Sequence, residues 1–388
     1  MKRSRLLVAL AALALILAAC TSDDGDTDTT EAAATTEAAT ETTEASTDTT
    51  EAMTDTTEAT EGGDGESDSL LDEVTARGEL NCGTRDAFPG FAVLTEDGDH
   101  VGFDSDFCRV IAAAVLGDAE AVNHVDLETA DRFTALQSGQ VDVLVRNTTH
   151  TAGRDGGEGA TFLTVNYYDG QGMMVNTGDY TSVTEMDGVV VCSAGGTTTE
   201  GDAATEATRL GLDWEIRSFP DTDLLQEAFI AGQCDGWTSD FSQLTGLRSV
   251  YPDGPDALTI LPEVFSKQPL APAVLDGDTA WAQAVDWAVM ATIQAEEFGI
   301  TSENVDDFLT SDNPSILQFL GQEFDDGEGN VATFDPGLGL PVDFAYQVIS
   351  QVGNYGEIFD EHLTPLGLER GVNALWTDGG LMYAIPYR

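Results

Sequence analysis

Basic residues are scarce in this chain of 388 residues: 15 Lys and Arg stand against 70 Asp and Glu, for a formal net charge of −55. Only two are lysines, Lys2 and Lys267. Phosphate backbones are held by clustered cations, so this balance excludes nucleic acid as a partner. Histidine is equally sparse, with four scattered residues, and there is no C-x-x-C, so neither a metal centre nor any other cofactor is expected. Five cysteines are too few for a disulfide-dense miniprotein. Long apolar runs are absent apart from one at the extreme N-terminus, and the hydrophobic fraction of 41% is ordinary for a globular protein. At roughly 150 residues per domain, the length allows two or three compact units.

The N-terminal run reads as an address. Lys2, Arg3 and Arg5 precede an unbroken apolar stretch over 6–17, and Leu17-Ala18-Ala19-Cys20 follows. The stretch is shorter than the roughly 20 residues of a comfortable span. The pattern resembles the lipobox of bacterial lipoproteins, which implies a signal peptide over 1–19 and a lipidated Cys20. The mature protein is then expected on the outer face of the cytoplasmic membrane, lipid-anchored, in an oxidising compartment. Residues 20–68 are nearly all Thr, Glu, Asp, Ala, Ser and Gly. Such a segment cannot bury enough apolar surface to offset chain entropy, and its like charges extend it, so a disordered tether is expected.

From 69 to 388 the pattern alternates between strand and helix, as in an α/β fold with mainly parallel sheets. Strands are expected at 80–84, 102–104, 122–125 and 141–145, with helices over 105–116 and 132–137. A second series has strands at 189–192, 214–217, 236–238 and 270–274, a helix over 224–231 and a long helix over 279–297. The chain is expected to cross between the two series near 170–176 and 266–274.

Ligands of open α/β sheets bind beyond the carboxyl ends of strands. Three such ends carry unusual chemistry. One runs Arg146-Asn147-Thr148-Thr149-His150-Thr151 and on to Arg154; one is the turn Gly195-Gly196-Thr197-Thr198-Thr199; one ends at Asp240. An Arg forks onto a carboxylate, an Asp accepts from an ammonium, and a helix N-terminus favours an anion, so together they suit a zwitterion. Each also has a plainer reading: the Gly-Gly-Thr turn and Asp240 as helix caps, Arg154 as a solvated charge.

The segments NCGTRDAFPGF, GFDSDFCRVIAAAVLGD, RFTALQSGQVDVLVRNTTHT, VNYYDGQGMMV, GGTTTE, SDNPSILQFLG, QVGNYGEIFDEHLTPLGLERGVNALW and GGLMYAIPYR resemble the family 3 solute-binding proteins of amino-acid ABC transporters, nearest to the general L-amino-acid-binding branch. The likeness spans about 70–388. It implies a two-lobed clamshell of type II, each lobe a mixed sheet flanked by helices, with lobe 1 at 69–173, lobe 2 at 174–268, and 269–388 returning to lobe 1 with a C-terminal helical extension. By the same resemblance, Arg154 holds the ligand α-carboxylate, Asn147 and Thr149 bond its main-chain groups, Thr197 and Thr198 donate to the carboxylate, Asp240 holds the ammonium, Phe88 is an aromatic lid and Arg132 meets the ligand side chain. His150 departs from the Trp expected there and bears on side-chain preference. With Cys20 lipidated, four thiols allow three pairings. In the implied clamshell, Cys82 with Cys108 and Cys192 with Cys234 leave the hinge free, whereas a cross-lobe pair would lock it; buried free thiols are the alternative.

The implied function is a monomeric, non-catalytic receptor that gives an amino acid, with broad specificity, to an ABC permease. An enzyme on the same fold, such as a cyclohexadienyl dehydratase-like protein, is the rival, and composition does not exclude it. A sensor domain is not expected, because no membrane or signalling segment follows Arg388. Asp326, Glu328 and Asn330 mimic the start of a calcium loop, but Val331 stands where an EF-hand needs Gly, so calcium is not expected.

Overall fold

The computed structural model describes residues 69–325 and 330–388. The signal peptide, Cys20, the tether, and Asp326 and Glu328 of the calcium-loop mimic lie outside these residues.

Two mixed sheets organise the fold. In the first, Val122–Asp126, Leu80–Thr84 and Val143–Leu144 lie side by side in parallel, and Ala273–Leu275 and Ala160–Phe162 extend it antiparallel. In the second, Glu215–Phe219, Val190–Ala194 and Gly236–Asp240 are parallel, and the ten-residue strand Tyr167–Asn176 and then Leu258–Ile260 follow antiparallel. The N-terminal end of Tyr167–Asn176 pairs with Lys267–Leu270, the segment that carries the chain back. Two antiparallel crossover strands therefore join the lobes as one ribbon.

Left-handed glycines end the two long helices of the first lobe. The helix Phe103–Leu116 ends at Gly117 with φ 71°, and Thr279–Phe298 ends at Gly299 with φ 70°. The latter starts on Asp278, whose Oδ1 accepts from the Trp281 N–H at 2.9 Å. Phe344–Gln351 and Tyr355–His362, from the C-terminal extension, pack on these two helices around fully buried Phe103, Phe107, Trp281, Tyr355 and Phe359. The Trp281 indole, wholly buried, donates to the Asp142 carbonyl at 2.9 Å, so its one polar atom is satisfied. The second lobe has two smaller cores, one around Phe229 and Trp237, the other around Met186, Val191 and Trp214.

Each lobe holds one disulfide, and neither disulfide crosses between lobes. Cys82 in the first sheet bonds Cys108 in its neighbouring helix, with Cα atoms 5.9 Å apart; Cys192 bonds Cys234, just before Gly236–Asp240, at 5.8 Å. Among the described residues, no helix is long and apolar enough to cross a membrane.

Three sequence expectations need correction. Residues 102–104 are not a strand: His100–Val101 is, and the helix begins at Phe103. Gly102 is required by close approach, since a Cβ there would sit 2.3 Å from the Phe91 carbonyl oxygen. The strand expected at 270–274 is two strands, Lys267–Leu270 and Ala273–Leu275, broken at Pro272, which has no N–H for a ladder. The strand expected at 141–145 is confined to Val143–Leu144.

Candidate functional site

The carboxyl ends of the parallel strands of both sheets face one cleft. Beyond Leu80–Thr84 lies Arg85, and beyond Val143–Leu144 lie Arg146, Asn147 and Thr149. The short helix Ala152–Gly157 is capped by Thr151, which accepts from the Arg154 N–H at 3.2 Å, and it carries Arg154 into the same wall. Arg132 opens the helix Arg132–Gln137. The opposite wall holds Thr197, Thr198, Thr222, Ser239 and Asp240.

The walls touch. Arg85 donates to the Thr222 hydroxyl at 2.9 Å, Asn147 Nδ2 donates to Asp240 Oδ2 at 3.3 Å, and the Thr149 and Thr198 hydroxyls lie 3.3 Å apart. Gln268 of the returning crossover strand accepts from both of those threonines at 2.8 Å. The space left between the walls is about 30 Å³. Common ligand pockets measure roughly 300 Å³ or more. The lobes must separate on their ribbon to admit anything larger than a few waters.

Asn147 is the one non-glycine among the described residues with positive φ, at 36°. Its backbone N–H donates to buried Asp104 at 2.8 Å, which pins the loop and turns the amide toward Asp240. Asp240 occupies the N-cap position of Phe241–Ser249, yet its side chain makes no capping bond. Asp169, on the first crossover strand, does that work: its carboxylate accepts from the Ser242 N–H at 3.3 Å and from the Ser242 hydroxyl. The helix-cap reading of Asp240 is thus corrected for its side chain. The Gly-Gly-Thr turn keeps its capping role, since Thr197 accepts from the Glu200 N–H at 3.1 Å, and it also lines the cleft.

Polar atoms without partners mark what the cleft wants. Among the described residues, Asp240 Oδ1, Asn147 Oδ1 and Arg132 Nε are buried with no hydrogen bond. Two are acceptors beside each other's side chains; the third is a donor. Such atoms cost free energy until something pairs with them. Burial pushes the Asp240 carboxyl up, while Asn147, Arg154, Arg132 and Arg85 pull it back; burial and then the charge of Asp240 push Asp169 up. Asp104 is pushed up to about 7 by burial. Burial, then Arg154 and Arg85, bring Arg132 down to about 9.

Of the residues expected from sequence, Arg154, Asp240, Asn147, Thr149, Thr197, Thr198 and Arg132 meet in this cleft. Phe88 does not line it. Its fully buried ring stacks on Phe91 at 4.4 Å and lies under the Arg85 guanidinium at 5.3 Å, so the group facing the cleft there is Arg85. His150 also lies elsewhere, stacked on Phe162 at 4.8 Å, on the wall of a separate groove of about 990 Å³ beside the crossover ribbon. Arg85, Gln268, Thr222 and Gln243 are absent from the sequence reading, and Arg146 appears in it only as part of its loop, without a role. For Arg85 and Arg146 a signal exists, a cation directly after a strand; Gln268 has none.

The fold and cleft define a two-lobed binding protein that closes on a small polar ligand. The sequence profile of bacterial extracellular solute-binding proteins, family 3, matches residues 80–364, and the chain belongs to that family. It is 44% identical over 331 residues to the general L-amino acid-binding periplasmic protein AapJ of Rhizobium johnstonii, covering 84% of this chain and 95% of that one. It is 44% identical over 327 residues to the glutamate/glutamine/aspartate/asparagine-binding protein BztA of Rhodobacter capsulatus, covering 83% and 94%. Among solved structures, an ABC transporter periplasmic binding protein from Brucella ovis with glutathione bound superimposes with a TM-score of 0.78 at 41% identity, covering 82% of this chain and 99% of that one. These matches give the type II periplasmic-binding-protein fold.

Proposed function

We propose that this chain is a non-catalytic receptor that captures free L-amino acids between its lobes and delivers them, closed, to the permease of an ABC importer. The observation that carries the reading is the pair of orphaned acceptors, Asp240 Oδ1 and Asn147 Oδ1, in the same closed cleft as Arg154. An α-ammonium supplies N–H donors to the first two, and an α-carboxylate accepts the guanidinium fork. Thr149, Thr197 and Thr198 add hydroxyls, and the helix N-terminus at Thr198 favours the carboxylate. The names of the two relatives support an amino-acid ligand and broad tolerance. Glutathione carries the α-carboxylate and α-ammonium of its γ-linked glutamate, so the same clamp accommodates small γ-glutamyl peptides.

We further propose that the protein acts as a monomer held to the membrane by a lipid on Cys20, with 20–68 as its tether. The run Leu17-Ala18-Ala19-Cys20 supports the anchor; Cys20→Ser should release the protein to the medium or leave it unprocessed. The receptor reading is tested by thermal shift against the twenty amino acids, followed by mass spectrometry of the co-purified ligand. No shift with any of them would overturn it.

A further inference from the structure

The four histidines are scattered along the sequence, yet the fold brings three of them to one place. His100, His124 and His362 line a pocket of about 510 Å³ on the first lobe, and that pocket shares no lining residue with the ligand cleft. Its lining also holds four carboxylates, Asp99, Asp106, Glu120 and Glu361, against one permanent cation, Arg109. The local balance of charge favours a cation there.

Two helices build the centre of the pocket. Asp106 stands in the first turn of Phe103–Leu116, and Glu361 and His362 are the last two residues of Tyr355–His362. One ligand atom from each of the three lies within 4.8 Å of the other two. His362 Nε2 is 2.6 Å from Asp106 Oδ2. Arg109 donates to the other carboxylate oxygen, Oδ1, at 3.1 Å and to Glu120 at 2.5 Å, so it orients Asp106 from the side away from His362 Nε2. Two carboxylates as close as Asp106 and Glu361 repel each other, and the carbonyl end of a helix adds negative potential at the same point. Asp106 is buried, His362 half-buried and Glu361 exposed, so an ion has a way in from solvent. A further wall residue points to a ligand independently. His124 Nε2 is buried with no hydrogen-bond partner among the described residues. The His124 ring is held by stacking on His100 at 4.6 Å, and His100 Nε2 is itself held by Asp126 at 2.8 Å. An Asp106–His362 ion pair alone would leave His124 unexplained.

We propose that this pocket binds one divalent cation of the zinc class, with Asp106, Glu361 and His362 as its ligands and water completing its shell beside His124. Zinc sits about 2.0 to 2.2 Å from imidazole nitrogen and carboxylate oxygen, so atoms that share one ion lie roughly 3 to 4 Å apart. The three groups reach that spacing by small side-chain rotations. One imidazole with two carboxylates suits zinc, whereas magnesium and calcium prefer all-oxygen sets. The ion would tie Tyr355–His362 of the C-terminal extension to Phe103–Leu116, bracing the first lobe whether or not the cleft is filled.

The test is calorimetry on full-length protein stripped with chelator and titrated with zinc, magnesium or calcium chloride. Zinc should show one tight equivalent, bound at least about tenfold more strongly than either of the others, and the melting temperature should rise with zinc concentration. Glu361→Gln and His362→Gln should each weaken that binding at least about tenfold. Glu361 is exposed, so its variant keeps the fold and decides the matter even if His362→Gln does not fold. His150→Gln, outside the pocket, should bind zinc as wild type does. Wild-type zinc affinity in Glu361→Gln or in a folded His362→Gln, or zinc held no more tightly than magnesium, would overturn the proposal, because the acidic surface would then be collecting cations without a site.

Discussion

The two walls of the cleft are chemically unlike. Every guanidinium comes from the first lobe, at Arg85, Arg132, Arg146 and Arg154, whereas the second lobe offers hydroxyls and the carboxylate of Asp240. The cores differ as well: the first lobe shares a large aromatic core with the C-terminal helices, and the second has two smaller ones. Charge acts at long range and hydroxyls only in contact. The first lobe is therefore suited to draw in an anionic group and the second to recognise the ligand once the lobes meet.

The sharpest way to break this division is to remove one end of the clamp from each lobe. Arg154→Ala and Asp240→Ala should each cost 2 to 5 kcal/mol or more of binding, measured by calorimetry with Glu, Gln, Ala and Leu. If Asp240→Ala binds all four within a few-fold of wild type, the second lobe only covers a ligand that the first lobe holds alone. Next come the disulfides, one per lobe, with sequence separations of 26 and 42. In the chain-entropy account, replacing each pair by serines costs about 3.5 and about 4 kcal/mol of stability. Denaturation curves should show one lobe loosened in each double variant, and a single shared loss would mean the lobes melt as one unit.

Gln268→Ala should weaken closure by about 1 to 3 kcal/mol, because the Thr149 and Thr198 hydroxyls lose their common acceptor. Small-angle scattering should then show a larger radius of gyration at saturating ligand. With pH, two effects run in opposite directions. Asp240 must be ionised to hold an ammonium, so affinity falls about tenfold per unit as pH drops through its raised pKa of about 6. Without ligand, Asp104, Asp169 and Asp240 all have pKa values above the unfolded carboxylate value near 3.9. Their stabilisation is present below that value and is lost as pH rises through about 6 to 8. The melting-temperature gain from ligand should therefore be large at pH 8 and small at pH 5. The smallest effect is expected from His150→Ala, within about 0.5 kcal/mol for every ligand, since its ring lies outside the cleft.

The sequence showed most of the strand-end chemistry because apolar runs point to where parallel strands stop. Asn147 and Thr149 lie just past the apolar run 141–145, and Asp240 ends the strand Gly236–Asp240; Arg154 stands nine residues past its run, on the next short helix. Arg85 follows one too, but the resemblance points to Phe88, three residues on, as an aromatic lid; only the fold shows the guanidinium lying over that ring. Gln268 is invisible in one dimension because it serves both walls from the ribbon between them. The false strand at 102–104 has a similar origin: Gly102 answers to the Phe91 carbonyl, a contact with a residue eleven positions earlier in the chain.

The capping of Phe241–Ser249 by Asp169 also bears on how such a receptor can change. A residue that both ends a helix and grips a ligand cannot be altered for one purpose without harming the other. Here the helix start is secured by the crossover strand, through Ser242, and Asp240 is spared that duty. Substitution at Asp240 can therefore redirect what the cleft accepts while its supporting helix keeps its first turn, and new selectivities become reachable by single steps that leave folding intact.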